Sequence, residues 1–318
     1  MNAAWAAPYQ GRRVLVLGAG GFIGRRVARM LIEHGAQVVT AFRRPGAAVA
    51  GARSASADLA TPGAATGLVR AHQPSLTLNL AGYGVDPTER DPELTQRLNA
   101  DLPRELAMAC ATCQDPSWPG VHLVHAGSAL EYGTAAGDLS EDTLPTPTTR
   151  YGQSKLAGTQ ALVEAGTRGG LRALSARLFM VYGPGEPAHR LLPSLREAAA
   201  TNTPLPLTAG EQQRDFTYVD DAVEGMLRLG AVDCGTARVI NVATGVLTPV
   251  AGFVRAAAAV LAIAPERLRF GVLPTRPAEM AHDPVSVAAL ERLTGWRPAT
   301  SILDGIRRTV DEAGSAPR

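Results

Sequence analysis

A tyrosine and a lysine stand four residues apart in the stretch "RYGQSK", at the start of a predicted helix. That spacing places Tyr151 and Lys155 on one face of the helix. A free phenol titrates at about pH 10, so it is a weak proton carrier at neutral pH. A neighbouring ammonium favours the phenolate and lowers the pKa of the phenol. We therefore expect the pair to give or take a proton at a carbinol oxygen.

Composition sets Lys155 apart, because it is the only lysine in a chain with 31 Lys and Arg residues. A compact ammonium fits small sites that a planar guanidinium does not. Ser128, at the end of the predicted strand 121–128, can hydrogen-bond the same carbinol oxygen. An ordinary helical surface pair is the alternative interpretation of Tyr151 and Lys155. The unique lysine favours a catalytic set of Ser128, Tyr151 and Lys155.

A glycine-rich turn lies between the apolar run 13–17 and a helical pattern that ends at Gly35. Gly18, Gly21 and Gly24 are spaced G-x-x-G-x-x-G. Such glycines permit a sharp turn, close approach of a pyrophosphate and tight packing of helix on strand. The N–H groups at the start of the following helix then face the phosphates. The pattern predicts a dinucleotide site, and a structural turn without a ligand is the alternative.

The end of the second predicted strand indicates which dinucleotide binds. An acidic residue there would hold the ribose 2′-OH of NAD. The chain instead has Phe42, followed by Arg43 and Arg44. Because guanidinium groups match a 2′-phosphate, the sequence favours NADP(H), with NAD(H) possible. The alternative interpretation is that Arg43 and Arg44 are solvated loop residues without a ligand. Asp58 follows a predicted third strand, where its carboxylate suits the adenine amino group.

Predicted strands and helices alternate along the first half of the chain, with one long helix over 92–113. This order is typical of a doubly wound, parallel α/β sheet. Stretches rich in Pro and Gly then break the alternation. We predict a dinucleotide-binding Rossmann domain at 1–178, to which 215–245 returns. A smaller C-terminal substrate-binding lobe is expected to contain 179–214 and 246–318.

Composition excludes several classes of protein. A net charge of +2 with dispersed arginines does not indicate a nucleic-acid partner. Three cysteines fit a reducing cytoplasm, and no stretch approaches the roughly 20 apolar residues of a membrane span. Cys110 and Cys113 lack a second pair for zinc, and the histidines lack ligand spacing, so we predict no metal site. His122 and His125, which flank a strand, are expected to be structural.

The chain resembles the extended short-chain dehydrogenases/reductases, in the NAD(P)-dependent epimerase/dehydratase group that acts mainly on nucleotide sugars. The resemblance covers nearly the whole chain. It rests on "GAGGFIG" (18–24), "ADL" (57–59), "NLAG" (79–82), "GSALEYG" (127–133), "YGQSK" (151–155), "RLFMVYGPG" (177–185), "RDFTYVDDAV" (214–223) and "RPAE" (276–279). It implies a nucleotide-diphosphate sugar as substrate, and a homodimer built on the helices near 92–113 and 151–166.

Matching positions also implies roles for single residues. The family's catalytic Ser/Thr, Tyr and Lys fall on Ser128, Tyr151 and Lys155. The implied cofactor-binding residues are Gly18, Gly21, Phe22, Ile23, Gly24, Arg43, Arg44, Asp58, Leu59, Leu80, Ala81, Gly82, Tyr151 and Lys155. The implied substrate-binding residues are Ser128, Ala129, Tyr151, Arg214 and Arg276. Arg214 and Arg276 match arginines that hold the substrate's diphosphate, and structural salt bridges are the alternative.

The residues after Ser128 bear on the reaction. The family's 4,6-dehydratases carry Asp-Glu directly after the catalytic Thr, and here Ala129 and Leu130 can move no proton. Glu131 stands one place late, and we expect local geometry to aim it elsewhere. Reduction of a 4-keto, deoxy nucleotide sugar by NADPH and 4-epimerisation with a retained NAD remain, and the two arginines favour reduction. A non-catalytic NADP-binding sensor is a remote alternative, because such proteins typically lack the Tyr-x-x-x-Lys pair.

Overall fold

A computed structural model describes residues 4–43, 48–86, 88–201, 203–234, 239–274 and 281–315. The strands in these ranges are β1 (Arg13–Leu17), β2 (Gln37–Phe42), β3 (Arg53–Ser56), β4 (Leu76–Asn79), β5 (Leu123–Ser128), β6 (Ala173–Leu178), β7 (Met180–Tyr182), β8 (Leu205–Pro206), β9 (Gln213–Tyr218), β10 (Val239–Val242), β11 (Leu247–Pro249) and β12 (Leu268–Arg269).

Helices connect and cover these strands. They are α1 (Phe22–Glu33), α2 (Ala64–His72), α3 (Pro92–Gln96), α4 (Leu102–Ala111), α5 (Arg150–Arg168), α6 (Leu191–Thr201), α7 (Val219–Ala231), α8 (Val250–Val260), α9 (Ala288–Thr294) and α10 (Ile302–Ser315). Over the described ranges, none of them combines the length and the apolar character that crossing a membrane requires.

Seven parallel strands form the main sheet, in the order β10-β6-β5-β4-β1-β2-β3. Short apolar runs such as Val14–Leu17 are buried on both faces, which requires helices on both sides of the sheet. The strand order reverses at β1, which pairs with β2 on one side and β4 on the other. A crevice at such a switch point is where ligands bind in doubly wound sheets. The predicted fold class is therefore confirmed.

Alternate residues of β1 enter two separate hydrophobic clusters. Val14 and Val16 pack with apolar residues of α1 and α7, while Leu15 and Leu17 pack with those of α2, α4 and α5. Successive side chains of a strand point to opposite faces, so one strand serves both cores. The helix pairs α1 with α7 and α4 with α5 therefore cover opposite faces of the main sheet.

A second, three-stranded sheet has the order β11-β9-β7 and packs near α6, α8 and α10. Its core is aromatic: the rings of Phe216 and Phe253 stack at 4.2 Å between centroids, and Tyr182 meets Phe253 edge-on at 5.1 Å. β10 rejoins the main sheet, whereas β9 belongs to this smaller one. The division into a dinucleotide domain and a substrate lobe stays a prediction.

The helix expected over 92–113 is interrupted. α3 passes into a π-helical turn at Arg97–Asp101, and α4 follows. Pro103 has no N–H, so it cannot donate to the carbonyl of Asn99 one turn earlier, and a wider turn accommodates the missing bond. The Asn99 carbonyl instead approaches Gly158 on α5 so closely that a Cβ there would overlap it.

We expect Gly158→Ala to destabilise the protein by about 1–3 kcal/mol, because the added methyl group overpacks the contact between α5 and Asn99. Gly67→Ala on α2 is the matched control, since an added Cβ there meets nothing within 4 Å. That control should stabilise by about 0.5–1 kcal/mol, the ordinary gain in a helix. Urea unfolding of both variants measures the difference, and equal stabilisation would contradict the close contact.

Candidate active site

The glycine turn joins β1 to α1 at the switch point of the main sheet. Gly18 has φ +80°, and an added Cβ would lie 2.6 Å from the backbone nitrogen of Ala81, just beyond β4. A Cβ on Gly24 would overlap the Gly18 carbonyl oxygen. Both glycines are therefore required by packing alone, because they bring β1, β4 and α1 into contact.

Gly21 is different. An added Cβ would meet only the Gly18 carbonyl oxygen, at 3.4 Å, so packing within the chain does not require glycine here. Gly21 is the N-cap of α1 and has no side chain that could cap the helix, so the first N–H groups of α1 have no side-chain acceptor from the N-cap residue. Such a cradle fits a dinucleotide pyrophosphate.

The ends of β2 and β3 border the same crevice. Phe42 ends β2 beside the glycine turn, because a Cβ on Gly20 would lie 3.4 Å from its ring. Arg43 follows and is exposed, whereas Arg44 lies outside the described residues. Asp58 is also exposed, and its Oδ1 accepts a hydrogen bond from the Ala60 N–H at 3.0 Å.

The segment Leu80–Gly82 follows β4 and faces Gly18 across the turn. The Ala81 N–H donates to Asn79 Oδ1 at 3.2 Å, which fixes the first residues after the strand. Together with Phe22 and Ile23 at the start of α1, and with Leu59 after β3, these segments lie at or just beyond the carboxyl ends of neighbouring strands. Apart from Tyr151 and Lys155 on α5, the predicted cofactor residues in the described ranges therefore share one edge of the sheet.

Ser128 ends β5 and caps a short 3₁₀ helix, Ala129–Glu131. Its Oγ accepts from the Leu130 N–H at 3.2 Å, and its own N–H donates to Glu131 Oε1 at 2.8 Å. Ser128 also hydrogen-bonds the side chain of Tyr151. The chain therefore brings together the serine and the tyrosine that the sequence predicts as partners.

Tyr151 lies in the first turn of α5, where Thr149 Oγ1 caps the helix by accepting from the Gly152 N–H at 3.0 Å. Burial raises the pKa of the Tyr151 phenol above its ordinary value, and Glu131 raises it further. Arg190 and the hydrogen bond with Ser128 lower it by less. The predicted lowering of this pKa is therefore wrong, because desolvation of the phenolate outweighs the nearby positive charge.

Lys155 lies one turn further along α5 and is 3% exposed. Its Nζ donates to the Ala126 carbonyl at 2.6 Å and lies 3.1 Å from His125 Nε2. Burial lowers the pKa of the lysine to about 8, and Glu131 opposes this change. The only lysine of the chain is thus an ammonium held close to its titration range.

The contact between His125 and Lys155 was not predicted from the sequence. Burial and the charge of Lys155 hold the pKa of its ring well below the usual value, so the ring is neutral. Its Nδ1 lies 3.1 Å from Asn79 Nδ2, which links the end of β4 to Lys155. A structural role was predicted from sequence, and the only available signal was the position of His125 three residues before Ser128.

Arg190, just before α6, was also not predicted to be a residue of the site. Its guanidinium donates to the Val181 carbonyl at 3.4 Å and to Glu186 Oε1 at 3.2 Å, and it lies 3.5 Å from Met180 Sδ. Burial raises the pKa of Glu186 to about 7, and Arg190 opposes this. Because the charge of Arg190 also acts on Tyr151, this arginine lies on the side of the site formed by β7.

Of the two arginines expected to bind a diphosphate, the structure describes only Arg214. Arg214 lies on β9 opposite Thr248 of β11, and its Nη1 donates to the Gln213 carbonyl at 2.7 Å. Arg276 lies outside the described ranges. Ala129, expected at the substrate, is buried in the 3₁₀ turn after Ser128.

Comparison with known proteins relates this arrangement to one family. A family model described as the NAD dependent epimerase/dehydratase family matches residues 14–243. A dTDP-6-deoxy-L-talose 4-dehydrogenase (NAD(P)(+)) from Kitasatospora kifunensis is 29% identical over 329 residues, covering 100% of this chain and 99% of that protein. A dTDP-4-dehydrorhamnose reductase from Streptomyces griseus is 30% identical over 227 residues, covering 71% of this chain and 67% of that protein.

A solved structure shares the fold over nearly the whole chain. MoeE5 in complex with UDP-glucose and NAD superposes with a TM-score of 0.81 and is 27% identical. The match covers 95% of this chain and 98% of MoeE5. The main sheet and the smaller sheet are therefore both included in the likeness.

Proposed function

The chain belongs to the NAD dependent epimerase/dehydratase family, and we propose that it reduces the 4-keto group of a nucleotide-linked deoxysugar with NADPH. Membership makes it an NAD(P)-dependent enzyme. Two similar proteins are named as a dTDP-6-deoxy-L-talose 4-dehydrogenase and a dTDP-4-dehydrorhamnose reductase. Both names combine a dTDP-linked sugar, position 4 and a redox reaction, which supports the proposed substrate class.

The observation that carries the proposal is the half-buried, protonated phenol of Tyr151 beside Ser128. When a carbonyl is reduced, its oxygen gains negative charge and needs a proton. A neutral phenol can donate that proton, and the Ser128 hydroxyl can hold the same oxygen by a second hydrogen bond. The bound dinucleotide supplies the hydride. Lys155, a compact ammonium one turn away, suits the ribose hydroxyls of that dinucleotide.

The end of β2 supports NADPH over NADH. Phe42 stands where an acidic residue would hold an unmodified ribose, and Arg43 follows in an exposed position. A guanidinium there can pair with a 2′-phosphate through two parallel hydrogen bonds. We include Arg44 in the same role on sequence grounds.

The substrate would lie against the smaller sheet and the carboxyl ends of β5 and β6. We assign its diphosphate to Arg214 and Arg276, and its sugar to the space between Ser128 and Tyr151. Ala129 and Leu130 offer no acid or base for elimination of water. This absence of a proton carrier supports simple reduction over dehydration.

The test is to mix the purified chain with a dTDP-4-keto-6-deoxy sugar and with NADPH or NADH. We expect loss of NADPH absorbance and formation of one reduced dTDP-sugar, with slower loss of NADH. Turnover should depend on both the sugar and the added dinucleotide.

Epimerisation with a retained NAD is the second candidate, because the family that matches residues 14–243 is named for NAD dependent epimerases as well as dehydratases. An epimerase would interconvert two nucleotide sugars without added cofactor and would consume no NADPH. That result, with no oxidation of either reduced dinucleotide, would replace the proposed reductase by the epimerase.

The coenzyme preference should depend on Arg43. We expect Arg43→Asp to lower kcat/KM for NADPH by about 10- to 100-fold, since one charge-assisted interaction contributes about 1.5–3 kcal/mol. The kcat/KM for NADH should stay the same or rise, because a carboxylate suits the free 2′-OH of its ribose. Arg70→Asp on α2 is the matched control, because Arg70 is also an exposed arginine. Equal losses with both coenzymes would contradict a 2′-phosphate contact.

A further inference from the structure

We propose that Glu131 is a positioning residue of this site, whose carboxylate joins Ser128 to α5 and so acts on Lys155 of that helix. The inference rests on the proposed function for its meaning in catalysis. The effect of this buried carboxylate on Ser128, Tyr151 and Lys155 can be measured without turnover.

Glu131 is completely buried, at 0% exposure, and three elements contact its carboxylate. Oε1 accepts from the Ser128 N–H on β5 at 2.8 Å and from Thr159 Oγ1 on α5 at 3.2 Å. Oε2 accepts from Arg177 Nε on β6 at 3.0 Å. Thr159 lies one helical turn beyond Lys155. One side chain thus connects the end of the serine strand to the helix that carries Tyr151 and Lys155.

The backbone leaves room for this carboxylate. A Cβ on Gly127 would lie 2.9 Å from Glu131 Oε1 and 2.6 Å from Ser175 Oγ. Ser175 in turn lies 2.9 Å from the hydroxyl of Thr159. The glycine before Ser128 therefore admits a polar network that a larger residue would displace, and burial of an ionised group requires such partners.

Glu131 forms a buried ion pair with Arg177. Arg177 is itself buried, its guanidinium lies 4.3 Å above the ring of Tyr132, and Glu131 raises its pKa. The Glu131 carboxylate is therefore the negative partner of a buried ion pair. In a low-dielectric interior such a charge acts over several ångströms.

Charged side chains from several elements act on the pKa values of Tyr151 and Lys155. Glu131 raises the pKa of Lys155 and of Tyr151, so it favours the protonated form of both. Tyr151 is also faced by Arg190, which lowers its pKa, and by Glu89, which raises it. Lys155 is further faced by neutral His125. Removal of the carboxylate should therefore release both protons at lower pH.

Lys155 can be observed alone, because it is the only lysine in the chain. Labelling with ¹³C-lysine gives one ε-carbon signal, whose shift with pH reports the pKa of Lys155. In Glu131→Gln we expect this pKa to fall by about one unit, since a single nearby charge has been removed. Glu105→Gln is the matched control: Glu105 pairs with Arg97 on the other side of α4 at 2.6 Å, and its loss should leave Lys155 unchanged.

Activity provides the second measurement. We expect Glu131→Gln to lower kcat while KM for the sugar stays within about twofold, because Glu131 is buried away from solvent. The alkaline fall in kcat should move to lower pH by the same amount as the Lys155 pKa. A purely structural role for Glu131 would lower the amount of folded enzyme and leave the pH profile in place.

Arg177 is left buried and unpaired in the single variant, which can prevent folding. Glu131→Gln combined with Arg177→Gln removes both charges. The Lys155 pKa should still fall in this double variant, because Glu131 is the charge that acts on Lys155. An unchanged Lys155 pKa in either folded variant would overturn the proposal. A chain that turns over no 4-keto sugar but shows the Lys155 shift would refute the proposed reaction and retain the role of Glu131 in setting that charge.

Discussion

Tyr151→Phe is expected to lose about 100- to 10,000-fold in kcat, the usual contribution of a positioned proton donor. The phenyl ring keeps the shape of the half-buried side chain, so only the hydroxyl and its bond with Ser128 are removed. Steady-state kinetics with NADPH and the keto sugar measure the effect. Dinucleotide binding and the thermal midpoint should stay close to those of the wild type.

Tyr182→Phe is the control for that loss. Tyr182 is buried, and its hydroxyl donates to the Ile302 carbonyl at 3.4 Å in the smaller sheet region. Removing this hydroxyl should change kcat by less than about twofold while costing about 1 kcal/mol of stability. If Tyr151→Phe behaved like Tyr182→Phe, Tyr151 would not be the proton donor.

Lys155→Arg is expected to lose at least about 100-fold in kcat/KM, although it keeps the positive charge. The Lys155 Nζ lies 2.6 Å from the Ala126 carbonyl and 3.1 Å from His125 Nε2, in a buried position. A guanidinium is broader than an ammonium and would displace these neighbours, with a stability cost of about 1–3 kcal/mol from overpacking.

Lys155→Met separates charge from size. Methionine is close to lysine in length and fits the same space, so we expect the thermal midpoint to change less than in Lys155→Arg. Activity should be lost in both variants, and titration calorimetry should show weaker dinucleotide binding. Activity within tenfold of wild type in Lys155→Arg would mean that any buried cation suffices there.

Local sequence patterns were enough to predict the first strand, turn and helix of the fold. The apolar run before Gly18 and the helical spacing after it predict β1, the turn and α1, because burial on two faces and packing on one leave different periodicities. The same reasoning located Phe42 and Arg43 at the end of β2. Family membership and the doubly wound sheet were likewise predicted and are confirmed.

The interruption of the helix over 92–113 was not predicted. Its cause, Pro103, is visible in the sequence, but a proline near a helix start is usually tolerated. Whether the helix bends or ends depends on Asn99 and Gly158, which meet only after α5 packs against α4. The predicted return to the dinucleotide domain began at residue 215, within β9, but β9 pairs in the smaller sheet, because membership of one sheet or the other depends on which strand edges are free.

The sequence by itself determined the order of strands and helices, the glycine turn, and the spacing of Tyr151 and Lys155, since each is a local pattern. Only the tertiary structure decided the electrostatics of the site. His125 and Glu131 reach Lys155 and Tyr151 from other elements, and burial reverses the expected direction of the tyrosine pKa. Desolvation and Coulomb energies depend on distance and burial in the folded chain, and neither distance nor burial can be derived from residue spacing.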